Sequence, residues 1–209
     1  ILLFFCLLLG GNVNSSTVDK GDNNAPFENK RTETDYLPIA DPFVMLYNNK
    51  YYAYGTGGTV NEGFACFSSD DLKNWKRERQ ALSADDSYGK WGFWAPEVYY
   101  IQSKKKFYMF YSVEEHICVA TSDSPVGPFR QESKQPIWEE KSIDTSLFID
   151  DDGTPYLYFV RFTDGNVIWV AQMTDDLMKI KKETLSECIK AEEPVSYTHL
   201  RAHETAANL

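Results

Sequence analysis

Residues 41–56 read Asp41-Pro42-Phe43-Val44-Met45-Leu46-Tyr47, then Asn48-Asn49-Lys50, then Tyr51-Tyr52-Ala53-Tyr54-Gly55-Thr56. An acidic residue opens a short apolar strand, a polar turn follows, and an aromatic strand returns; residues 64–68 supply a third strand ending on Ser68. The order recurs from Pro96-Glu97, with strands over 98–101, 106–112 and 116–121. It recurs again from Asp144, with strands over 146–149, 156–161 and 167–173. The interval is roughly fifty residues, the length at which four-stranded propeller blades repeat. Nothing between the copies has helical length or period. The chain is therefore expected to be all-β, a β-propeller whose blades stack around a channel, with the start of each innermost strand facing that channel. Asp41, Glu97 and Asp144 are expected at that equivalent place. Three blades are visible where propellers generally have about four to eight, so the pattern stops short of closure.

Composition narrows the partners rather than naming an activity. The chain has 209 residues, 43% of them hydrophobic and 25% charged, as in ordinary globular domains. A net charge of -10 argues against nucleic acid and anionic membranes, both of which reward clustered Lys and Arg. The aromatic share of 15% suits both β-sheet and the stacking of sugar rings.

The two ends read differently from the repeats. Residues 1–11 are almost unbroken apolar sequence, followed by small polar residues. That run is short for a bilayer span and reads as the core of an export signal over 1–16, ahead of a linker over 17–34 and the propeller over 35–194. The mature chain is then expected to be secreted or periplasmic, without stable membrane insertion. Cys6, Cys66, Cys118 and Cys188 have neither a disulfide pattern nor metal-ligand spacing. After Pro194 the period vanishes, and residues 195–209 resemble translated adapter read-through at the end of a draft gene model. His199, His203 and Glu204 fall in that stretch and are not read as a zinc site. Asp150-Asp151-Asp152-Gly153 lacks the glutamate a calcium loop needs at its twelfth position, which is Arg161, and reads as a hairpin turn. No metal and no cofactor is expected.

Four separated motifs, in order, resemble glycoside hydrolase family 43. They are Ile39-Ala40-Asp41-Pro42-Phe43-Val44 with the tyrosines after it, and Phe93-Trp94-Ala95-Pro96-Glu97-Val98. Val119-Ala120-Thr121-Ser122-Asp123-Ser124-Pro125 leading to Gly127-Pro128-Phe129 follows, and then Ser142-Ile143-Asp144 leading to Asp151-Asp152-Gly153. The resemblance covers about three of the family's five blades. It implies an inverting glycosidase acting on arabinofuranosyl or xylosyl linkages of plant-wall oligosaccharides and polysaccharides. Inversion needs one carboxylate to activate water and one carboxylic acid to protonate the leaving oxygen. Asp41 matches the family's general base, and Asp144 its auxiliary aspartate, which raises the pKa of the acid and orients it. The acid itself is a Glu in a Glu-Gly-Pro context on the fourth blade. That tripeptide does not occur in this sequence, and Glu193 of Glu192-Glu193-Pro194 is the nearest approach to it. On this reading the chain has no complete acid–base pair and, for lack of its acid, is itself expected to be inactive. Trp94, Glu97 and Phe43 are the expected substrate-binding residues. Two other readings stay open: a fructan-cleaving relative, whose Asn-Asp-Pro-Asn and Arg-Asp-Pro motifs are not matched here, and a non-catalytic sugar-binding propeller.

Overall fold

A computed structural model describes residues 37–57 and 61–190, all within the unit Glu33–Leu209. The expected export signal, the linker, Glu193 and the tail at 195–209 lie outside the described residues. Eleven strands occur among those residues: β1 (Ala40–Tyr47), β2 (Lys50–Thr56), β3 (Gly63–Ser69), β4 (Lys76–Ser83), β5 (Trp94–Ile101), β6 (Lys106–Val113), β7 (His116–Ser122), β8 (Ser142–Ile149), β9 (Pro155–Arg161), β10 (Val167–Gln172) and β11 (Ser186–Ile189). They form three antiparallel meanders, β1-β2-β3-β4, β5-β6-β7 and β8-β9-β10-β11, in chain order. These are three blades of a β-propeller, as the repeat predicts.

Local chemistry sets the hairpins. Asn48 and Asn49 both adopt positive φ, 50° and 59°, the conformation of a two-residue turn whose twist matches its strands and which Asn tolerates better than most residues. Gly153 donates its N–H to the carbonyl of Asp150 at 2.8 Å, so the acidic run is a turn between β8 and β9. The outermost strands β4 and β11 were not legible in the sequence. β4 carries Lys76, Arg77 and Glu78 where a buried strand would be apolar, and β11 is exposed along its length. The second blade has no full fourth strand. Arg130 instead exchanges two backbone bonds with Thr121, at 3.0 and 2.9 Å, while Phe129 donates to the Ala81 carbonyl at 2.7 Å. One short segment thus completes the second blade and ties it to the first.

The core consists of two layers, one on each side of the middle blade. Strand β6 is buried from Phe107 onward, and its alternating side chains divide between the layers as the period of two requires. Phe107, Met109 and Tyr111 pack with Tyr54, Phe64 and Phe93 of the first layer. Phe110 and Tyr108 pack with Leu147, Leu157 and Phe159 of the second. Phe64 meets Phe93 and Tyr111 edge-on, with centroids 5.8 and 5.5 Å apart. The opposite faces of the outer blades carry exposed Val44, Leu46, Phe148 and Phe162.

Candidate active site

Each innermost strand is interrupted once, at the same point. The pairing steps by three residues on one strand against two on the other from Ala40 to Phe43, from Trp94 to Glu97 and from Ile143 to Ser146. One extra residue in a strand is a β-bulge, which redirects side chains and removes a ladder hydrogen bond. The bulges place Asp41, Ala95 and Asp144 in left-handed conformations, with φ of 47°, 44° and 55°. Non-glycine residues adopt such conformations at a cost that the surrounding structure must offset, and they cluster at functional sites.

This register corrects one expectation. Ala95, not Glu97, occupies the place of Asp41 and Asp144; Glu97 stands where the first blade has Phe43 and the third has Ser146. The sequence repeat aligned acidic residues by type, whereas the strand pairing aligns Asp41-Pro42-Phe43 with Ala95-Pro96-Glu97 and Asp144-Thr145-Ser146.

The bulged residues' backbone N–H groups are satisfied from the preceding blade. Ala95 donates to Thr56 Oγ1 at 2.9 Å, and Asp144 donates to Ser112 Oγ at 3.0 Å. Thr56 and Ser112 are equivalent residues of β2 and β6, facing Ala40 and Trp94. The Thr56 hydroxyl also donates to Asp41 Oδ2 at 2.9 Å, so one side chain links the second blade to the Asp41 carboxylate and fixes its orientation. Sequence reasoning missed Thr56 and Ser112, although both close the second strand of a repeat with a hydroxyl.

The two aspartates share a neighbourhood but differ in environment. Asp41 is exposed. Burial pushes the Asp144 carboxyl up to about 6, and the Asp41 charge adds to the rise. Among the described residues no lysine or arginine pairs with either carboxylate. Because the folded chain holds the Asp144 proton more tightly than the unfolded chain, this group's contribution to stability is fully present below about pH 4. It is lost as pH rises through about 6, a loss of order 2–3 kcal/mol. Asp144→Asn is accordingly expected to be more stable than the parent at pH 8 by about 1–3 kcal/mol and nearly equal to it at pH 4. Urea unfolding at both values measures this, and parallel stability curves for the two proteins would refute it.

The expected substrate-binding residues are placed unequally. Trp94 is half-buried beside the bulge at Ala95 and packs edge-on against Trp91, centroids 6.2 Å apart. Phe43 is half-buried and tilted against Tyr99 at 5.4 Å. Glu97 is only 8% exposed. It accepts a hydrogen bond from the Tyr99 hydroxyl and another from Ser146, and burial, chiefly, with the Asp144 charge, raises its pKa. The Tyr99 hydroxyl in turn accepts from the Leu147 N–H at 3.2 Å. Glu97 and Tyr99 thus bridge the second blade to β8, the strand that carries Asp144, and engage protein groups. Among the described residues no cluster of three or more His, Cys, Asp or Glu could hold a metal ion. Cys66 and Cys118 are free and buried, their thiols pushed up to about 12 by desolvation, which leaves them unreactive at neutral pH.

Comparison with known proteins agrees with the architecture. The crystal structure of an endo-1,4-beta-xylanase from Bacteroides thetaiotaomicron superposes with a TM-score of 0.75 at 85% identity, over 78% of this chain and 56% of that one. An endo-arabinase structure from the same organism gives 0.68 at 28% identity, over 75% and 58%. A beta-xylosidase of Xylanibacter ruminicola is 28% identical over 74% of this chain and 52% of its own length. The chain spans about half the length of the curated relatives it matches. The sequence profile of the glycosyl hydrolases family 43 matches residues 37–206, and with three blades and the four ordered motifs in place, the chain belongs to that family.

Proposed function

We propose that the protein hydrolyses arabinofuranosyl or xylosyl linkages of plant-wall polysaccharides with inversion at the anomeric carbon. One observation carries the reading: two equivalent bulges aim two aspartates into one neighbourhood, Asp41 exposed and held by Thr56, Asp144 partly buried with its pKa raised. Pairs of carboxyl groups whose environments push their protonation apart mark acid–base sites. In the proposed step Asp41 takes a proton from water as the water oxygen bonds to the anomeric carbon. The glycosidic C–O bond breaks, and the departing oxygen receives a proton from a carboxylic acid. Above about pH 6, where Asp144 is ionised, its negative charge keeps that acid protonated, and no residue among those described is assigned the acid's role. Xylan-type and arabinan-type relatives support the substrate class. Export, the expectation from residues 1–16, would suit a plant-wall polymer substrate. Among the described residues no helix is long and apolar enough to cross a membrane.

A dinitrophenyl glycoside tests the reading on this chain, because its leaving phenolate departs without protonation and the reaction needs only the base. The chain should hydrolyse the arabinofuranoside or the xyloside, and proton NMR should show the inverted anomer first. A retained anomer, or no hydrolysis of either substrate, would overturn the proposal.

A further inference from the structure

We propose that Trp91 is a stacking platform for a second sugar residue of the bound chain, adjacent to the residue whose linkage faces Asp41. The inference rests on the glycosidase reading above and specifies its substrate as an oligomer rather than a single pentose. Trp91 lies on the connection between the first and second blades and is 50% exposed, its ring edge-on to half-buried Trp94. The connection is held in place on several sides. The Trp91 carbonyl accepts from the Glu114 N–H at 3.2 Å, and the Lys90 N–H donates to Glu114 Oε1 at 2.7 Å. The Gly92 N–H donates to Asn61 Oδ1 at 3.3 Å, and the Tyr88 N–H to Gln131 Oε1 at 2.8 Å.

Gly92 explains how the ring is presented. Its φ is +66°, and a Cβ there would lie 2.8 Å from Trp94 Cζ2, so only glycine lets the Trp94 ring lie beneath the backbone. The two indoles are then nearly perpendicular, at 78°. Trp94 adjoins Ala95, whose N–H binds the Thr56 hydroxyl that holds Asp41, so Trp91 packs on the residue next to the bulge that shares Thr56 with the carboxylate. An indole face binds the apolar C–H face of a neutral sugar without needing a charge partner. One sugar ring cannot lie flat on two perpendicular faces, whereas two successive rings of a turning chain can.

Calorimetric titration of the chain with xylose, arabinose and their di-, tri- and tetrasaccharides tests this. Affinity should rise about tenfold from mono- to trisaccharide. Trp91→Ala should abolish that rise and leave monosaccharide affinity unchanged, while Trp91→Phe should keep most of it. Equal trisaccharide affinity in the parent and in Trp91→Ala would overturn this inference alone. Failure of the parent chain to bind any pentose oligosaccharide would overturn it together with the glycosidase reading.

Discussion

Asp41→Asn is expected to reduce hydrolysis of a dinitrophenyl pentoside by about 10² to 10⁴-fold, the usual contribution of a general base. The exchange is nearly isosteric. Its side-chain oxygen can still accept from the Thr56 hydroxyl, which now bonds Oδ2 at 2.9 Å, so the bulge and its link to Ala95 should persist. What disappears is the group that takes the proton from water. Because the activated leaving group needs no acid, the measurement isolates the base from whatever residue serves as acid. Binding of oligosaccharides should change little, which separates a chemical defect from a collapsed site. Near-parental rates in Asp41→Asn would remove Asp41 from the role of base. Asp144→Asn should behave differently in kind: in a protein that also carries the acid, on a substrate with a poor leaving group, it lowers the acid's pKa and moves the alkaline limb of the rate profile downward.

The largest expected effect on stability is at Phe64. This side chain is fully buried between the first two blades, edge-on to both Phe93 and Tyr111. Phe64→Ala leaves a cavity that these rings, themselves fully buried, cannot collapse to fill, and should cost about 3–5 kcal/mol. The melting temperature should fall by about 10 °C. Phe64→Leu, which keeps most of the volume, should recover more than half of the loss. Denaturant unfolding of both variants measures this. A loss below about 1 kcal/mol for the alanine would mean that the interface between these blades is not the cooperative core.

The sequence made the blades legible because the strand signal is local. Alternating aromatic and β-branched residues, and the polar turns at Asn48-Asn49 and Asp152-Gly153, act through neighbours along the chain, and the hairpins formed where those signals lay. The outer strands β4 and β11 escaped detection because an exposed edge imposes no hydrophobic period. Trp91 escaped because it is a single exposed ring in a loop, and loop position leaves no periodic trace. Asp41 and Asp144 were legible through the motifs around them, which are also local.

What only the tertiary structure decided is which residues are equivalent and what each one touches. The sequence set Glu97 beside the two aspartates because all three are acidic near a strand start. The pairing puts Ala95 there instead, since Ala40, Trp94 and Ile143 are the last paired residues before the bulge in their blades and Asp41, Ala95 and Asp144 are the residues that follow them. Glu97 then falls at a buried position where it meets Tyr99 and Ser146. The Thr56 link to Asp41, and the rise of the Asp144 pKa, arise from groups on different strands and blades. Sequence by itself determined three blades and singled out two candidate aspartates; packing between blades decided their electrostatics, because burial and through-space charge depend on distances that chain order does not encode.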